Sequence, residues 1–115
     1  MIISIDFDGV IAISDYPEIK GVMNGAVAAI QKLSKKHYII INTCRSGEHL
    51  LEAINWMLEH NIPFNRVNDN HPDNIKLHNC NSRKIYADLY IDDRQLQGFP
   101  GWQITLDLIK DLENL

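Results

Sequence analysis

Two aspartates spaced i, i+2 close the run Ile2-Ile3-Ser4-Ile5-Asp6-Phe7-Asp8-Gly9-Val10. The apolar, β-branched residues before them predict a buried strand. In open α/β sheets, ligands bind beyond the carboxyl ends of the strands, so acids placed there are candidates for chemistry. Side by side, two ionised carboxylates repel unless a cation or a functional role compensates. Asp and Gly are also ordinary turn residues, and a plain polar turn would use the same types. What else reaches the same place therefore decides between the two.

Three further polar groups fall at strand ends. Thr43 and Arg45 follow the apolar run Tyr38-Ile39-Ile40-Ile41-Asn42, Lys84 stands shortly before Leu89-Tyr90-Ile91, and Asp92-Asp93 close that run. In a parallel sheet with right-handed crossovers all carboxyl ends share one edge. That edge would gather four acids, a hydroxyl, a lysine and an arginine. Oxygen-only ligands suit Mg²⁺, a hard ion that keeps waters and accepts phosphate oxygens. A lysine beside the acids would add a compact charge for phosphate, and a hydroxyl would donate to a phosphoryl oxygen.

The elements that must hold these residues follow from periodicity. Strands are expected over 2–6, over 38–42, more weakly over 64–68, and at Leu89-Tyr90-Ile91. The stretch 9–23 reads as irregular, broken by Pro17 and Gly21. Asn24 is expected to cap a helix over 25–36 with Ala26, Val27, Ile30 and Leu33 inward. Ser46 is expected to cap a helix over 47–60 whose inner stripe is Leu50, Leu51, Ile54, Met57 and Leu58. The segment 69–82 reads as a polar loop with one helical turn, and 83–87 as a short helix. A last helix carries Ile104, Leu108, Ile109 and Leu112. Strands alternating with helices imply an α/β fold: one Rossmann-like three-layer domain, 1–115, with a mainly parallel sheet.

Composition excludes several classes. The 115 residues carry 11 Lys and Arg against 15 Asp and Glu, for a formal net charge of −4. A dedicated nucleic-acid scaffold needs clustered basic residues, and no basic run exists. Cys44 and Cys80 form no metal or redox spacing and are expected to be free thiols in a reducing compartment. No apolar run approaches a membrane span. No leader is expected before the first strand, which makes the cytoplasm the expected location.

Taken in order, these residues resemble the haloacid dehalogenase superfamily of phosphohydrolases along nearly the whole chain. Asp6-Phe7-Asp8-Gly9-Val10 is similar to its first motif, Ile40-Ile41-Asn42-Thr43 to its second, Lys84 to its third and Leu89-Tyr90-Ile91-Asp92-Asp93 to its fourth. Thr43-Cys44-Arg45 and Ile91-Asp92-Asp93-Arg94 are also similar, over a shorter stretch, to the phosphatase part of polynucleotide kinase-phosphatases.

The resemblance implies a Mg²⁺-dependent phosphatase. Asp6 would be the nucleophile that forms an aspartyl-phosphate. Asp8 would be general acid and then general base, with a pKa raised by the crowded acids, and its backbone carbonyl would ligate the metal. Thr43 and Lys84 would bind the transferring phosphoryl group. Asp6, Asp8, Asp92 and Asp93 would make up the metal set, the last two directly or through water. Arg45 is either a substrate contact or half of a surface ion pair. Arg94 is expected to brace the acid turn.

Larger members of that superfamily insert a cap domain where this chain has only about fifteen residues after Asp8. A capless site either admits large substrates or is closed by a neighbouring subunit in a homo-oligomer. The partners expected are therefore a phosphorylated small molecule or a nucleic-acid end, and no membrane. The segment 11–22, with Tyr16 and Lys20, is the candidate substrate-facing stretch; a plain connector is the alternative. The five histidines show no ligand spacing, and His71 and His78 are expected to be solvated. A receiver domain combines similar residues, but with its acid pair first and its lysine last, opposite to the order here. The remaining alternative is a catalytically weak metal- and phosphate-binding interaction protein on the same scaffold.

Overall fold

A computed structural model of the chain describes residues 1–114. Four strands form a parallel sheet: β1 (Ile2–Ile5), β4 (Tyr38–Ile41), β5 (Arg66–Val67) and β6 (Leu89–Ile91), in the order β5-β4-β1-β6. The other elements are a two-stranded hairpin, β2 (Ala12–Asp15) with β3 (Glu18–Val22), and helices α1 (Ala26–Ser34), α2 (Gly47–Glu59), α3 (Pro72–His78) and α4 (Trp102–Glu113). This is the expected Rossmann-like α/β architecture in one domain.

Register explains how the two sheet faces differ. Ile3 aligns with Ile39 and Leu89, and Ile5 with Ile41 and Ile91. Alternation along a strand puts these six residues on one face. They join one core with Ala26, Ala29 and Ile30 of α1, Ala53 and Met57 of α2, and Trp102 and Ile109 of α4. The opposite face carries Ser4, Ile40 and Tyr90 in register. A thinner layer covers it: α3, whose His71 lies 4.3 Å from the Tyr38 ring, and the segment holding the buried Ile85 and Ala87. The Tyr90 hydroxyl ties that segment down, donating to the Ile85 carbonyl at 2.6 Å and accepting from the Ala87 N–H at 3.1 Å.

Several sequence expectations are corrected. The stretch 9–23 is not irregular; it contains the β2–β3 hairpin, with a bulge between Ile13 and Ser14. Alternation was masked there by Pro17, which sits in the turn, and by the bulge. The segment 83–87 is not helical. Its buried residues, Ile85 and Ala87, are two apart, the spacing of extended chain on a sheet. Gly25, not Asn24, is the N-terminal cap of α1. The inner stripes of two helices are rotated. Leu51 and Leu58 of α2 and Ile104, Leu108 and Leu112 of α4 are exposed, whereas Ala53 and Thr105 are buried. Met57 of α2 and Ile109 of α4 are buried as expected, and Ala53 and Trp102 with Thr105 complete the inward faces. No helix among the described residues is long and apolar enough to cross a membrane.

Candidate metal and phosphate site

Because Ile5, Ile41 and Ile91 are level, the next residues of the three strands, Asp6, Asn42 and Asp92, are level too. Backbone bonds extend the ladder by one step: Asp6 N–H donates to Ile91 O and Asn42 N–H to Ile5 O, both at 2.9 Å. Asp6 thus lies beside the Asp92-Asp93 turn. Carboxylate oxygens of Asp6, Asp92 and Asp93 come within 4.8 Å of one another. The turn is shaped by the Asp92 side chain, which accepts the Arg94 backbone N–H at 2.8 Å. Any residue but proline at 94 would supply that N–H; the Arg94 side chain is exposed, with Nε 3.9 Å from Asp93.

Gly9 makes room for this cluster. Its φ is +83°, and a Cβ there would lie 2.6 Å from an oxygen of Asp93. Only glycine suits both the conformation and the approach.

The acids hold their charge unequally. Burial, a hydrogen bond with Asp93 and the charges of Asp92 and Asp93 push the Asp6 carboxyl up to about 8, against the pull of the Phe7 N–H. A carboxylate so crowded, with two more acids in reach, is a fitting donor set for a hard cation. Asp8 behaves in the opposite way. Burial raises it, but the two Arg45 hydrogen bonds and the Arg45 charge outweigh that and leave it below the usual carboxylate range. The expectation that crowding keeps Asp8 protonated is therefore corrected: both of its carboxylate oxygens are held by Arg45.

Arg45 is buried to 1% exposure. Its Nε and Nη2 donate to the two Asp8 oxygens at 2.9 and 2.8 Å, Nη2 also to Pro17 O at 3.0 Å, and Nη1 to His49 O at 3.2 Å. Its guanidinium carbon lies 5.2 Å from the centre of the Phe7 ring and 5.1 Å from that of Tyr16. With four of its N–H bonds spent inside the protein, Arg45 is neither a surface ion pair nor an open substrate contact. It clamps Asp8 to the hairpin turn. Tyr16, expected to face substrate, covers this clamp.

Thr43 stands just beyond β4. Its N–H is held by the Asn68 side chain at 2.8 Å, and its Oγ1 accepts from the Arg45 N–H at 3.2 Å, which leaves the hydroxyl proton free to donate outward. Asn68 was missed from sequence; its signal was a lone Asn closing a weak strand.

Lys84 is corrected as well. It is exposed, its ammonium lies 5.6 Å from the Tyr90 ring centre, and among the described residues it pairs with no acid of the cluster. No cation contributes to the Asp6 shift. His71 accepts the Asp73 N–H as the cap of α3 and lies on Tyr38, at the amino end of the sheet and away from the acids.

A parallel α/β domain with a carboxylate cluster at the carboxyl ends of β1 and of its edge neighbour β6 is the class these features define. A solved structure of a conserved protein from Bacteroides thetaiotaomicron is similar over 96% of this chain and 90% of that one, with 39% identity and a TM-score of 0.86. The chain belongs to the family of that conserved protein. No protein-family model matches the chain. No curated protein matches it either.

Proposed function

We propose that the protein is a Mg²⁺-dependent phosphomonoester hydrolase acting through an aspartyl-phosphate on Asp6. The observation that carries this reading is the meeting of Asp6, Asp92 and Asp93 within 4.8 Å, with β1 paired to β4, which ends two residues before Thr43. Asp6, Asp92, Asp93 and the Asp8 carbonyl would hold Mg²⁺, which supplies charge neutralisation of the phosphoryl oxygens. An Asp6 oxygen attacks phosphorus as the bond to the leaving oxygen breaks. Thr43 donates to a phosphoryl oxygen. Held ionised by Arg45, Asp8 is prepared as a base for the hydrolytic water. To protonate a leaving group it must first take a proton and give up at least one Arg45 hydrogen bond.

A second reading, a metal- and phosphate-binding interaction protein with little turnover, is favoured by the position of Lys84 on Tyr90. Phosphate release from an aryl phosphate with and without Mg²⁺, for the wild type and Asp6→Asn, separates the two. Mg²⁺-dependent release lost in Asp6→Asn supports the hydrolase. Mg²⁺ binding with no release from any phosphate ester supports the second reading.

A further inference from the structure

A cavity of about 930 Å³ opens on the acid cluster through Gly9 and Asp93 and runs between α1 and α4. Its walls are mainly apolar, with Met23, Ala28, Phe99 and Trp102 among them. A second cavity, about 270 Å³, continues the groove, since both are lined by Lys32 and Leu106. There the lining changes character: Lys32, Lys36 and Lys110 meet, with Glu113 the one acid. In a chain with a formal net charge of −4, three lysines at one end of a groove whose other end is acidic form a marked polarity.

The two helices set the spacing. Both start at the acid end, where Gly25 and Gly101 line the large cavity. Lys32 lies six residues beyond Ala26 and Lys110 eight beyond Trp102. At the helical rise their Cα atoms stand about 9 and about 12 Å along the two helices from those starts. Lys36 and His37 are engaged by Glu113 at 3.5 and 3.2 Å. Among the described residues Lys32 and Lys110 pair with no carboxylate.

We propose that this groove binds the leaving group of the substrate, and that the substrate is a phosphomonoester carrying a second anionic group at the far end of an apolar stem about 10 Å long. The proposal deepens the phosphatase reading and rests on it. The stem lies along the apolar walls, and Lys32 with Lys110 receives the distal anion. Charge complementarity names the occupant: an anion at each end, one for the metal site and one for the lysines. A bare sugar phosphate or a short alkyl phosphate would leave the lysines unused.

Binding and turnover test this separately. In Mg²⁺ buffer, calorimetric titration with hexamethylene bisphosphonate is expected to give at least tenfold tighter binding than hexylphosphonate, which lacks the second anion. Lys32→Glu is expected to erase that difference, while Lys35→Glu, an exposed lysine outside the groove, keeps it. Equal affinity of the two ligands, or a preference insensitive to Lys32→Glu, overturns the proposal. In turnover, the kcat/KM ratio of hexanediol bisphosphate over hexyl phosphate is expected to fall at least tenfold in Lys32→Glu. No phosphate release from any ester would overturn the hydrolase reading, whereas the bisphosphonate titration would still decide whether the groove selects a second anion.

Discussion

Arg45 holds both carboxylate oxygens of Asp8, at 2.9 and 2.8 Å, from a position with almost no solvent contact. The same guanidinium donates to Pro17 O, so the acid after the first strand and the hairpin turn share one anchor. Bidentate geometry is what arginine provides and lysine does not.

Arg45→Ala is therefore expected to cost about 3 kcal/mol of stability, because it strands a partly buried carboxylate and two carbonyls. Arg45→Lys should recover less than half of that. Urea unfolding of the three proteins at neutral pH measures both. A loss within about 0.5 kcal/mol would mean that the clamp contributes no more than an exposed pair.

The two leading acids should respond oppositely to pH in metal-free buffer. Asp6 titrates near 8 when folded and near 3.8 when unfolded, so its folded state binds more protons across that interval. Its contribution is fully present below about 4 and is lost as pH rises through about 8. Asp8 has a depressed folded value, so its contribution is present above about 4 and lost in stronger acid. Melting temperature in chelator should fall from pH 5 to pH 8 by several degrees, and Mg²⁺ or Asp6→Asn should flatten the slope. A melting temperature that rises over that range in chelator would contradict the Asp6 shift.

Gly9→Ala places a methyl group where an Asp93 oxygen now lies, at a φ of +83° that alanine avoids. The expected result is a loss of about 1 kcal/mol in stability and at least tenfold weaker Mg²⁺ binding. Unchanged Mg²⁺ affinity by calorimetry would exclude Asp93 from the metal set.

Lys84→Ala should change phosphate release by less than about twofold and stability by less than about 0.5 kcal/mol, as for an exposed residue away from special features. Loss of release beyond about a hundredfold would return Lys84 to the acid cluster and require the segment 83–87 to move.

How far these features were legible depended on whether a residue carried a local pattern. Asp6 and Asp92-Asp93 were legible because each closes an apolar run, and a strand end is visible in one dimension. Thr43 was found for the same reason. Lys84 was not, because a lone lysine has no periodicity and its neighbours Ile85 and Ala87 imitate a helix start. Arg45 could not be placed, since its surroundings, Phe7, Tyr16 and Asp8, come from distant chain and assemble only when the hairpin packs. On α2 and α4 only Met57 and Ile109 of the expected stripes are buried, because the inward direction of each helix, shared with Ala53 and with Trp102 and Thr105, is set by packing and not by the apolar residues alone.

The pairing of β1 with β6 has a consequence during synthesis. β1 is made before β6, its neighbour, which arrives almost ninety residues later, as the bond from Ile2 N–H to Asp88, 86 residues apart, also shows. Contacts this remote close slowly, since the intervening loop must lose its freedom first. A nascent chain that stops short of β6 can build the β1–β4 pair but has no Asp92 or Asp93 to offer a cation. Asp6 therefore meets the other two acids only once β6 and the turn after it have been made.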